Sequence, residues 1–144
     1  MNNNEKLMKK CLALASRSKL NTYLNPLGGA ILTDKDGNIL STGYHKKYGE
    51  PHAEANCINN YKGNFKDTIL YVNLEPCSHF GKTPPCADLI IKKGIKKVVV
   101  ALVDPNPKVG GKGIEKLKNA GVEVICGVLE DEAKELNKVF LKNI

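Results

Sequence analysis

The chain has no tryptophan, and aromatic residues fill only 6% of its 144 positions. It has one arginine, Arg17, so lysines spread along the chain carry nearly all the positive charge behind the net +7. Binders of single-stranded nucleic acid combine a basic groove with an aromatic stacking platform, and that platform is missing. Dispersed lysines suit a phosphorylated small molecule equally well, and nucleic acid is not the expected partner. Long apolar runs are lacking too: none approaches the roughly 20 residues of a membrane span. Lys9 and Lys10 interrupt the apolar positions between Leu7 and Ala15, which excludes the unbroken segment of a secretory signal. The expectation is a cytoplasmic protein without a membrane partner. The five cysteines, an odd number scattered along the chain, form no disulfide framework and suit a reducing compartment. Cys11, Cys57 and Cys126 lie in apolar-periodic segments and read as small buried hydrophobes.

Linkers, repeats and low-complexity tracts are likewise missing, and 42% hydrophobic residues are enough for the core of one domain. Apolar positions at Leu7, Met8, Cys11, Leu12, Leu14 and Ala15 have the helical period and predict a helix over residues 5–18. Residues 29–33 and 39–44 read as strands of a hairpin closed through Asp36-Gly37. Pro51 suits a first helical position, which predicts a helix over 51–62. Beyond it, strands at 68–74, 97–103 and 122–125 alternate with helices at 86–93, 114–119 and 131–141. Such alternation after an initial hairpin predicts an α/β fold, a three-layer α/β/α sandwich around a five-stranded mixed sheet. Glu75-Pro76-Cys77 and Asp104-Pro105-Asn106-Pro107 then follow strand carboxyl ends, where open α/β sheets bind ligands.

The chemistry concentrates in His52-Ala53-Glu54, Pro76-Cys77 and Cys86. One imidazole and two thiolates make three ligands for Zn2+, leaving the fourth tetrahedral position open for water, as catalytic rather than structural zinc sites do. Zinc lowers the pKa of such a water to roughly 7. Glu54 is not expected to bind the metal; it is placed to move protons as general acid and base. On a regular helix, residues two apart point about 200° away from each other, so His52 and Glu54 converge only at a helix's first turn. Cys86 follows Pro84-Pro85 and should also open a helix, where free N–H groups and the dipole favour the thiolate that zinc needs. The combination of H-x-E, P-C and a second cysteine is the signature of zinc deaminases acting on nucleobases. A non-catalytic zinc-binding module would need no Glu54 and would prefer a fourth protein ligand.

From the first helix to about Leu141 the chain resembles the deaminase domains of the riboflavin-biosynthesis deaminase/reductase family, within the cytidine-deaminase-like superfamily. The resemblance rests on Asn25-Pro26, on residues 45–54 (HKKYGEPHAE), on residues 74–87 (LEPCSHFGKTPPCA) and on residues 104–107 (DPNP). Eight residues separate Cys77 from Cys86, where the general pattern has two, and this insert carries His79 and Lys82. The resemblance implies hydrolytic removal of the 2-amino group from 2,5-diamino-6-ribosylamino-4(3H)-pyrimidinone 5′-phosphate. It makes His52, Cys77 and Cys86 the zinc ligands and Glu54 the proton shuttle. Asn25, His45, His79, Lys82, Asp104 and Asn106 fall on its substrate-pocket positions. It further implies a homo-oligomer. The nearest alternative is another zinc deaminase, acting on a free base, a nucleoside or tRNA. Gly28 stands where the family usually has valine, which implies a looser backbone there. The family's bacterial members commonly continue into an NADPH-dependent reductase, whereas this chain stops at Ile144. The expectation is one deaminase domain, residues 1–144, with the reductase a separate polypeptide or lost by truncation.

Overall fold

The central strands GAILT, ILYVNL and KVVVAL are apolar and buried along nearly their whole length, as strands covered on both faces of a sheet are. In the computed structural model, residues 2–17, 28–44, 52–76, 86–103 and 110–142 are described. Their elements run α1 (Asn3–Ser16), β1 (Gly29–Thr33), β2 (Ile39–Tyr44), α2 (Ala53–Asn60), β3 (Ile69–Leu74), α3 (Cys86–Lys93), β4 (Lys97–Leu102), α4 (Lys112–Asn119), β5 (Glu123–Cys126) and α5 (Glu130–Lys142). The sheet order is β2-β1-β3-β4-β5. β1 lies antiparallel to both β2 and β3, while β3, β4 and β5 are parallel. The expected α/β architecture is therefore present, a mixed five-stranded sheet between two helical layers.

Period-two alternation divides the core. Ala30, Leu32, Leu70, Val72, Val98 and Val100 face Ala53, Cys57 and Ile58 of α2, Ala87 and Ile90 of α3, and Leu117 of α4. Ile31, Tyr71, Val99 and Ala101 face the other way, against Leu7, Met8 and Cys11 of α1 and Ala133 of α5. A capping box begins α1: Glu5 N–H donates to Asn2 Oδ1 at 2.8 Å, and Asn2 N–H donates to Glu5 Oε1 at 3.1 Å. The hairpin turn is held by Asp34, whose carboxylate accepts from the N–H groups of Asp36 and Asn38 and from the Asn38 side chain, each at 2.9 Å.

Several expected boundaries shift, each for a local reason. α2 begins at Ala53 because His52 is extended (φ −66°, ψ 168°) and serves as its N-cap, and it closes at Asn60 rather than near residue 62. α4 begins at Lys112, ahead of its first apolar residue Ile114, because side-chain caps rather than periodicity set its start. β5 starts one residue late because Val122 N–H is spent on the Leu117 carbonyl at the end of α4. Cys126 was expected to be buried but is exposed, since it ends the edge strand β5.

Candidate metal centre

α2 is fastened to the hairpin strand β2 through main-chain carbonyls. Ser41 Oγ donates to the Cys57 carbonyl at 2.6 Å, Cys57 Sγ to the Ser41 carbonyl at 3.5 Å, Asn60 Nδ2 to Thr42 at 3.2 Å and Asn56 Nδ2 to Tyr44 at 2.8 Å. Gly43 lets the two elements touch: a Cβ there would sit 2.5 Å from Cys57 N and 2.6 Å from the Ala53 carbonyl oxygen. These bonds fix the first turn of α2, which carries Glu54 and follows His52.

The N-terminus of α3 meets that turn. Cys86 Sγ lies 3.7 Å from His52 Nδ1, and the ligand atoms of His52, Glu54 and Cys86 all fall within 4.8 Å of one another. Zinc bonds of about 2.3 Å to sulfur and 2.0–2.1 Å to nitrogen, at a tetrahedral angle, put the two ligand atoms about 3.6 Å apart. The observed separation matches that edge, so the donor pair fits zinc in both chemistry and spacing. His52 is exposed, whereas Glu54 and Cys86 are buried, at 7% and 5% accessibility. The geometry is the first-turn convergence that the two-residue spacing demands. Cys77, Asn25, His45, His79, Lys82, Asp104 and Asn106 lie outside the described residues.

Burial acts strongly on the cysteines behind the site. Burial pushes the Cys57 thiol up to about 12, with Glu54 adding to the rise, while the Ser41 and Leu32 hydrogen bonds oppose it. Burial, then the charges of Glu54 and Cys57, also holds the Cys11 thiol well above its ordinary value. Cys11 Sγ donates to the Gly29 carbonyl at 3.1 Å, a packing role.

Two polar residues at the carboxyl end of β3 hold main-chain groups of other segments, which no motif in the sequence announces. Asn73, buried in β3, accepts the Gly29 N–H at 2.7 Å through Oδ1. Glu75, at the carboxyl end of β3, accepts from Gly111 N–H at 2.8 Å, Gly113 N–H at 2.8 Å and Ile114 N–H at 3.3 Å. The available signal was an acidic residue after a strand and a glycine run, Gly110-Gly111-Lys112-Gly113, before a helix.

Residues 1–102 match the family described as the cytidine and deoxycytidylate deaminase zinc-binding region. The riboflavin biosynthesis protein RibD of Aquifex aeolicus is 53% identical over 95% of this chain, which spans 38% of that protein. A diaminohydroxyphosphoribosylamino-pyrimidine deaminase of Buchnera aphidicola is 42% identical, over 95% of this chain and 92% of its own length. The crystal structure of a diaminohydroxyphosphoribosylaminopyrimidine deaminase/5-amino-6-(5-phosphoribosylamino)uracil reductase from Thermotoga maritima superposes with a TM-score of 0.90 at 45% identity, over 99% of this chain and 41% of that one. The chain thus spans well under half the length of the bifunctional relatives and nearly all of the single-function one. With the His52, Glu54 and Cys86 geometry, these matches lead to one conclusion: the chain belongs to the cytidine and deoxycytidylate deaminase zinc-binding family, among the deaminase domains of riboflavin biosynthesis.

Proposed function

We propose that the chain is a zinc-dependent deaminase that hydrolyses the 2-amino group of the diaminopyrimidine ribosyl phosphate named above. Water supplies the oxygen of the new ring carbonyl, and the amine leaves as ammonia. One observation carries the reading: an imidazole nitrogen, a thiol sulfur and a buried carboxylate converge within 4.8 Å where the N-termini of α2 and α3 meet.

His52 and Cys86, with Cys77 from the adjoining segment, would hold the metal and leave one position for water. Bound zinc supplies the Lewis acidity that brings a water's pKa to roughly 7. Glu54 takes the proton from the attacking water, delivers it to the ring nitrogen and then assists departure of the amine. Its burial keeps the carboxylate away from bulk solvent, where electrostatic assistance is weakest. Lys82 pairs with the phosphate, Asp104 and Asn106 with ribose hydroxyls, Asn25 with the ring, and His45 and His79 with the ring or phosphate. A homo-oligomer, and a reductase acting on the product from a separate chain or a continuation of this one, complete the proposal.

The test is ammonia release by the zinc-loaded protein, given this substrate alongside cytidine, guanine and tRNA. Turnover of the phosphoribosyl pyrimidine alone is expected. Glu54→Gln should keep zinc and fold while losing at least about 100-fold in kcat, the lower range for a lost general acid–base. Full turnover in that variant would overturn the mechanism.

A further inference from the structure

We propose that Glu75 is a positioning residue of the metal centre, clamping the segment that delivers Cys77 onto the N-terminus of α4. The inference rests on the zinc reading of His52, Cys77 and Cys86. Its observations are separate from theirs. Glu75 is the last residue before Pro76, and Cys77 follows Pro76 directly in the chain. Its N–H makes a final rung with the Leu102 carbonyl at 3.0 Å, just past the Leu74–Leu102 pair that ends the β3–β4 ladder. From there the chain must leave the sheet and reach Cys86 at the head of α3.

The departure point is held from α4. One carboxylate oxygen accepts from Gly111 N–H and the other from the N–H groups of Gly113 and Ile114. These are N–H groups that the helix itself leaves without partners, and its dipole favours the negative charge beside them. Main chain also presses on main chain: a Cβ on Gly113 would sit 1.9 Å from the Pro76 carbonyl oxygen. Gly111, at φ +85°, takes the left-handed conformation that begins α4. Substituents at either glycine would disturb the seat, so the glycine run and Glu75 form one device. Glu75 thereby joins the metal segment after β3 to the segment after β4, which carries Asp104 and Asn106. Metal ligands need such outer partners to hold their geometry, and losing one typically costs about 10–100-fold in metal affinity.

Parent, Glu75→Gln, Glu75→Ala and Leu117→Ala proteins would be compared for zinc affinity by competition with a chromophoric chelator. Their cobalt(II) forms would be compared by absorption, since thiolate-to-cobalt bands report sulfur ligation. Glu75→Ala is expected to weaken zinc about 10–100-fold and to lower the thiolate bands. Glu75→Gln, isosteric but setting an amide donor against an N–H donor, falls between it and the parent. The Gln variant keeps the test decisive should the Ala variant fail to fold. Leu117→Ala loosens α4 through the core and should lower the thermal midpoint with zinc affinity unchanged. Parent-like affinity and spectra in both Glu75 variants overturn the proposal, as does a Leu117→Ala protein that loses zinc as severely as Glu75→Ala. A parent that binds neither metal overturns the zinc reading itself, an outcome distinguishable from failure of Glu75 alone.

Discussion

The Cys57 thiol lies one turn beyond Glu54 on α2, sealed against Ser41 of β2. Its ordinary value is near 9.0, and burial pushes it to about 12 in the fold. Between those values the unfolded chain has released a proton that the native protein still holds, so unfolding gains from rising pH. The stabilisation is fully present below about 9 and is lost as pH rises towards 12. Urea midpoints measured from neutral pH upward should fall steeply beyond about 9, and less steeply in Cys57→Ala. Equal slopes in the two proteins would remove Cys57 from the effect; Cys11, shifted the same way, supplies a residual slope. Burial of these two cysteines was legible from helical periodicity. Exposure of Cys126 was not, because residue pattern tells which face a side chain occupies and not that an edge strand ends there.

At the scale of elements, glycines mark where backbones must meet and where a helix must stop. Gly94 has φ +84° with nothing within 4 Å of its missing Cβ, and it ends α3 with paired bonds from Gly94 N–H to Ile91 and from Ile95 N–H to Ile90. Gly121 and Val122 end α4 the same way, through Lys118 and Leu117. Gly94→Ala should therefore cost only the left-handed strain, about 1–2 kcal/mol, with zinc affinity unchanged. Gly43→Ala drives a methyl into the main chain of α2 and should cost about 1–3 kcal/mol while also displacing His52 and Glu54. Urea unfolding checks the energies, and chelator competition checks the displacement: parent-like zinc binding in Gly43→Ala would show that β2 does not set the α2 turn. The end of α3 at Gly94 and both hairpin strands were legible because local chemistry settles them. The start of α4 was not, since Glu75 provides its cap from 36 residues away in sequence.

Across the whole molecule, the described residues of the candidate centre come from separate elements: the cap and first turn of α2 and the head of α3. The residue types were legible because few side chains bind zinc, and the spacing of His52 and Glu54 implied the first-turn geometry that the fold adopts. Convergence of α2 and α3 was legible only through the shared ligand set of His52 and Cys86; the sheet order that puts β1 beside β3 was not, because it depends on long-range strand pairing. A metal bound between such elements acts as a cross-link on the native state alone. At free zinc about 100-fold above Kd, binding contributes about 2.7 kcal/mol. For a domain of this size that is a rise of roughly 5–10 °C in Tm, which a chelator should abolish and added zinc restore. His52→Ala and Cys86→Ala should lose the zinc response, each by removing a ligand. Glu54→Gln should keep it in full, because the proposed carboxylate moves protons and does not hold the metal. Thermal scans of the parent and the three variants, with chelator and with zinc, separate the roles. A Glu54→Gln protein as unresponsive as His52→Ala would make Glu54 a ligand and close the position the reaction needs for water.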